Sequence, residues 1–194
     1  ATHSAKALIR DQWVTGEYWD RHGVPTSRRP GRPSQSQLAA ANALDSDSAL
    51  APWRTVRDAI SSLPHPNTPE GRAIPNHRRR PGARSYKGHT GSPLDQPAKT
   101  LKAGVHGVPG GENMLRHPNG AVRYFTVRES AVLQGFPLDY ELHGSWGEAM
   151  RQLGNAVPVD LAETMAASVM TVINNATDTS VGRRSARTSH EESS

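Results

Sequence analysis

Three stretches of this chain hold residue types whose spacing can do chemistry. The first is Arg123-Tyr124-Phe125-Thr126-Val127-Arg128-Glu129-Ser130-Ala131-Val132-Leu133-Gln134-Gly135-Phe136-Pro137. Thr126 and Glu129 have the spacing of a capping box, in which the hydroxyl takes an orphan amide and the carboxylate reaches back to the cap amide. Read on its own, the stretch is a capped helix with an aromatic stop, and Arg128 and Glu129 are structural. The second is Arg151-Gln152-Leu153-Gly154-Asn155-Ala156-Val157-Pro158, a helix–Gly-Asn–helix junction. Its default reading is a structural turn, but backbone amides near a helix start also suit a small ligand. The third, His77 to Arg84, holds four arginines in eight residues. These suit backbone phosphates or a guanine edge, and equally a solvated basic loop. The chain has no cysteine, which excludes disulfides, zinc–thiolate sites and a cysteine nucleophile within it. His89, His106 and His117 lack metal-like pairing and read as loop residues.

Several elements must position these groups. Ser4 to Trp19 has the pattern of an amphipathic helix, with Leu8, Trp13 and Trp19 as apolar members and Gly16 as a weak point. Residues 25–52, rich in Pro, Ser, Arg and Ala, read as a linker or long loop. Thr55 caps a short helix with Asp58 at its third position and Val56, Ala59, Ile60 and Leu63 on one face, stopped by Pro64 and Pro66. The turn-rich, basic run from Asn67 to Pro97 predicts loops and short strands. Gly135 ends the first capped helix. Ser145-Trp146-Gly147-Glu148 repeats the capping box, with Gly154 as the expected end of that helix. Pro158 then suits the first turn of a third helix, carrying Leu161, Met165, Val169 and Val172 along one face. Beyond Asn174 the composition predicts a disordered polar tail. Trp13, Trp19 and Trp53 read as packing groups rather than base-stacking wedges.

Composition sets looser bounds. An apolar share of 35% and a mean hydropathy of −0.66 over 194 residues indicate that part of the chain is unpacked or packs on something else. The net charge is +5, and nineteen of the 23 basic residues are arginine, which a GC-rich genome or a nucleic-acid surface explains equally well. No apolar run approaches the ~20 residues of a membrane span, so the expectation is a cytoplasmic protein without a membrane or metal partner. Ala1 in place of an initiator methionine suggests a processed, trimmed or otherwise incomplete product.

The first two stretches resemble the ninth and tenth conserved motifs of DNA cytosine-5 methyltransferases: Arg-x-x-Thr-x-Arg-Glu-x-Ala-x-x-Gln-x-Phe-Pro and Gln-x-Gly-Asn-Ala-Val-Pro. Thr55-Val56-Arg57-Asp58-Ala59-Ile60 with Leu63-Pro64 is similar to the opening of that family's target-recognition region. Pro97-Ala98-Lys99-Thr100-Leu101 resembles the segment bearing its Thr-Leu pair, and Gly110-Gly111 a further recognition-loop element. In the family, a doubly wound domain binds S-adenosylmethionine and a smaller domain reads DNA, with the target cytosine flipped out between them. A Pro-Cys nucleophile attacks C6 and a Glu-Asn-Val glutamate assists at N3. None of those motifs is present. Glu112-Asn113-Met114 is a superficial match to the triplet, in the wrong place and without the valine.

The resemblance therefore implies an α+β fragment: an irregular target-recognition domain of short strands and loops, plus helices that complete a doubly wound α/β methyltransferase domain. Its parts would be a segment following the catalytic domain (1–24), the linker (25–52), the recognition region (53–122), the motif helices (123–174) and the tail (175–194). It assigns Asn155, Ala156 and Val157 to S-adenosylmethionine, shared with a missing catalytic part. Arg84, Thr100, Leu101, Gly110 and Gly111 go to DNA, and Arg123, Thr126, Arg128 and Glu129 to the structural frame. No residue here is catalytic or a metal ligand. The partners it implies are double-stranded DNA and a catalytic methyltransferase segment or subunit, in a restriction-modification setting. The alternatives are a non-enzymatic DNA-binding module or an inactive remnant. In every case the isolated chain is expected to be marginal or aggregation-prone, because the third helix has an apolar face with little to cover it.

Overall fold

The computed structural model describes residues 2–44, 50–103 and 111–191. It has an α+β fold, in two compact units, Ala1–Ala156 and Val157–Ser194. Within the first unit, two apolar clusters each form around a helix whose start is fixed by a side-chain cap.

The amino-terminal cluster is built on the broken helix that Gly16 predicts. β1 (His3–Ser4) leads into α1 (Ala5–Arg10), where the Ser4 hydroxyl accepts from the amides of Lys6 and Ala7. A π-helical turn (Asp11–Thr15) follows, and Gly16, at φ 82°, separates it from α2 (Glu17–Arg21). Leu8, Tyr18, Trp19 and Val24 bury one another, with Trp13 edge-on to Trp19 at 5.4 Å. The stretch expected to be a linker contains α3 (Gln35–Asn42), opened by a Ser34/Gln37 capping box. Only Ala41 of α3 is buried, so local capping rather than an apolar face specifies it, which is why periodicity missed it. β2 (Ala51–Pro52) pairs in parallel with β1.

The second cluster holds the motif helices. α4 (Val56–Ile60) carries the expected Thr55/Asp58 capping box and buries Val56 and Ala59. Thr68 caps α5 (Pro69–Ala73). A three-stranded sheet follows, with β3 (Ser92–Pro93) parallel to β4 (Met114–Arg116), and β4 antiparallel to β5 (Val122–Tyr124) in register Leu115↔Arg123. β5 runs directly into α6 (Val127–Leu133), and α7 (Trp146–Asn155) packs beside it. Val56, Leu101, Leu115, Phe125, Val127, Ala131, Leu142, Ala149, Met150 and Leu153 form the core between them. Trp53, expected as a packing group, is 46% exposed.

The second unit is one helix, α8 (Val159–Glu191). It runs past the expected end at Asn174, since the sequence from 159 to 191 holds no proline and only Gly182 as a breaker. Leu161, Met165, Val169 and Val172 are all at least half exposed. Against the expectation of no membrane-length apolar run, Trp146–Asn175 is long and apolar enough by length and composition to cross a membrane, an 18-residue stretch within it having mean hydropathy 1.4. Its first third is α7, whose Ala149, Met150 and Leu153 belong to the protein core, and α8 adds Asp160 and Glu163, which lipid penalises.

Candidate functional site

The start of α6 is the hub of the site. Thr126 Oγ1 accepts from the Glu129 amide at 3.1 Å, while Glu129 Oε2 accepts from the Thr126 amide at 2.8 Å. The same carboxylate takes a two-pronged ion pair from Arg123, with Nη1–Oε2 at 2.7 Å and Nη2–Oε1 at 2.6 Å. Both side chains are almost fully buried, so the pair ties β5 to α6 where water does not compete. Arg128 is buried completely and donates to the carbonyls of Pro75 and Pro137, and its own amide donates to the Asn76 carbonyl. Asn76, at φ 61°, exchanges two side-chain hydrogen bonds with the Leu142 backbone. The four residues assigned to the frame thus meet in one network.

His77 belongs to that network and not to a DNA-facing loop. It is fully buried, with Nδ1 at 2.8 Å from Thr126 Oγ1 and Nε2 at 2.8 Å from the Pro64 carbonyl. A carbonyl only accepts, so Nε2 donates to Pro64, while Nδ1 and the Thr126 hydroxyl share the second hydrogen bond. Gln134 extends the frame, donating to the Leu153 carbonyl at the end of α7 at 2.9 Å. Sequence reasoning placed His77 in the basic segment and gave Gln134 no role of its own. Contacts to Thr126, 49 residues on, and from α6 to the end of α7 leave no mark in local spacing.

Gly154 does not end α7, as expected, but lies inside it. A Cβ there would come within 2.6 Å of the Ala103 amide and 2.8 Å of the Lys102 carbonyl carbon. The glycine is needed for close approach to the backbone just after Thr100-Leu101. The chain leaves the helix one residue later: Ala156 caps α7 in an extended conformation, and Asn155 and Val157 are exposed.

The described residues assigned to DNA differ in exposure. Arg84 and Thr100 are exposed. Leu101 is 6% exposed and packs in the core, so its contribution is to anchor the segment rather than to touch a base. Gly111 begins a 3-10 turn (Gly111–Asn113), whereas Gly110 and His106 lie outside the described residues. Asn113 is buried, its carbonyl accepting from the Phe125 amide. Among the described residues no three His, Cys, Asp or Glu side chains are grouped to hold a metal ion.

A second network joins the amino-terminal segment to this unit. Asp95 receives Arg57 Nε at 2.6 Å and the Tyr18 hydroxyl at 3.0 Å, and Gln12 donates to its carbonyl at 2.8 Å. Burial alone would lower the Arg57 pKa, but the Asp95 carboxylate raises it above its usual range. Burial and the same charge raise the Tyr18 phenol, outweighing a hydrogen bond with Thr55.

Charge supplies what spacing could not. Between Gly71 and Ala103 the sequence has eight lysines and arginines against the single acid Asp95, a net of +7 in a chain whose total is +5. Codon bias raises arginine everywhere. It does not strip acids from one region.

Residues 40–171 match the C-5 cytosine-specific DNA methylases, over more than half of the chain and across both motifs. The chain belongs to that family. Relatives of this methylase chain include the type II methyltransferase M.AplI of Arthrospira platensis, 42% identical over 83 residues, 42% of this chain and 24% of that protein. M.HgiDI of Herpetosiphon aurantiacus is 31% identical over 96 residues, 47% of this chain and 30% of its own length. M.MthTI of Methanothermobacter thermautotrophicus is 29% identical over 140 residues, 59% of this chain and 42% of its own. The methylase chain therefore aligns with about a quarter to two fifths of the length of these relatives.

Proposed function

We propose that this chain is the part of a DNA cytosine-5 methyltransferase that follows the catalytic motifs, reading the DNA target and closing the cofactor pocket. The observation that carries this is the braced hub. Arg123, Thr126, Arg128 and Glu129 lock α6 against the Pro75–His77 segment, and Gln134 holds the α7 end that bears Asn155. One rigid frame thus fixes both the basic recognition segment and the cofactor-facing turn. A flipped base requires that pairing, because DNA grip and methyl donor must stay in register to within about an ångström.

In this reading Asn155, Ala156 and Val157 hold the methionine end of S-adenosylmethionine, which supplies an electrophilic methyl group when bound. Arg84, Thr100 and the Gly110-Gly111 loop contact DNA, and Leu101 keeps the Thr100 backbone in place from the core. The nucleophile must come from another segment, since the chain has no cysteine. The exposed Leu161, Met165, Val169 and Val172 row is the surface that segment covers. Transfer of tritium from labelled S-adenosylmethionine to DNA, with this chain co-expressed beside a segment carrying the first eight motifs, tests the assignment. A well-folded pair that transfers nothing would remove it.

The concentration of positive charge between Gly71 and Ala103 also favours a second reading, a non-enzymatic DNA-binding module. It expects sequence-selective binding by this chain alone. A gel shift that needs the catalytic segment would decide against it.

A further inference from the structure

The frame accounts for His77 but leaves the three arginines after it unexplained. Arg78, Arg79 and Arg80 are exposed, and none has an ion pair or hydrogen bond among the described residues. Arg80 is held by another means, its guanidinium lying 4.5 Å from the centre of the Trp146 ring. That contact fixes an arginine without consuming any of its five donors. Trp146 is itself fixed, its indole N–H donating to the Phe125 carbonyl at 3.3 Å.

Arg79 and Arg80, with Pro81 to Ala83, wall a cavity of about 400 Å³ whose lining is completed by Val122 and Arg123. Arg123 is only 7% exposed, and its Nη atoms are used on Glu129 and the Tyr124 carbonyl. Its Nε, however, is buried without a partner. A buried N–H donor left unpaired is costly, so its position beside two unpaired guanidinium groups points to an acceptor that comes from outside. No carboxylate lines the cavity. Positive charge, free donors and an exposed rim suit a tetrahedral oxyanion, and the surrounding basic segment selects a backbone phosphate.

We propose that Arg79, Arg80 and Arg123 form a clamp for a phosphate of the DNA backbone, with the Trp146 ring holding Arg80 in place. The inference rests on the DNA-reading assignment and adds to it which side chains grip the duplex. Such a clamp positions the chain without reading sequence.

The test is fluorescence anisotropy of the full chain on a labelled random-sequence duplex, titrated between about 50 and 200 mM salt. Each neutralised phosphate contributes about 0.9 to the slope of log K against log salt. Arg79→Ala/Arg80→Ala should therefore lower the slope by about 0.9, making the affinity loss across that range about 3.5-fold shallower. Circular dichroism should be unchanged, because neither side chain makes a hydrogen bond within the described fold. Arg32→Ala/Arg54→Ala removes the same charge from two exposed arginines outside the cavity and should leave the slope near the parent value. Equal slopes for both double variants would overturn the clamp while leaving DNA reading intact. A parent chain with no salt-dependent binding either alone or beside the catalytic segment would overturn both together.

Discussion

Glu129→Gln isolates the buried ion pair at the hub. Glutamine is accepted at the third position of a capping box, so the substitution keeps a hydrogen-bond acceptor for the Thr126 amide. What it removes is the charge opposite Arg123, at 2.6 and 2.7 Å, in a pair whose side chains are only 9% and 3% exposed. Taking one partner from a buried pair costs about 3–5 kcal/mol, because the remaining charge is left in a poor solvent. With a urea m-value of about 2 kcal/mol/M, the unfolding midpoint should fall by about 1.5–2.5 M. Arg123→Met should cost a similar amount. The double variant Arg123→Met/Glu129→Gln should recover most of it and lie within about 1 kcal/mol of the parent, since no unpaired charge remains. Where a single variant fails to fold, its comparison with a folded double variant carries the same information. A Glu129→Gln loss below about 1 kcal/mol, or a double variant as unstable as the two singles added, would refute the claim that charge burial holds this hub.

Three further outcomes follow from the same structure. Gly154→Ala should destabilise by about 1–3 kcal/mol in chemical denaturation, because its Cβ would meet the Lys102–Ala103 backbone; a neutral substitution would show that the approach is looser than described. Burial would raise the Asp58 pKa, but hydrogen bonds from the Thr55 amide and hydroxyl and from His22 outweigh it and hold the carboxyl below its ordinary 3.8. A depressed carboxyl stabilises the fold above its unfolded pKa and loses that contribution as pH falls through the folded value, so melting profiles should show a loss below about pH 4 that Asp58→Asn flattens. Met165→Glu/Val169→Glu on α8 should change the stability of the isolated chain by less than about 0.5 kcal/mol and reduce its aggregation in light scattering; a large loss of stability would mean these half-exposed side chains are packed in solution.

The sequence alone determined the local devices. The Thr55, Thr126 and Ser145 capping boxes need only a hydroxyl and an acid three residues on, so they were legible without a fold. The two segments that resemble family motifs were legible for the same reason, since α6 and α7 carry their pattern in consecutive residues. Tertiary structure decided which side chains those devices bring together. His77 looked like the first residue of a basic loop, yet burial against Thr126 and Pro64 makes it a brace. Gly154 looked like a helix stop, and only the backbone passing 2.6 Å away reveals what the missing side chain is for. Leu101 stood beside Thr100 as a DNA contact, and the core claimed it. Spacing along a chain fixes what a residue does to its own helix turn. The identity of a partner 50 residues away depends on how strands and helices pack, and that packing alone makes one arginine part of a frame and leaves the next free to meet a phosphate.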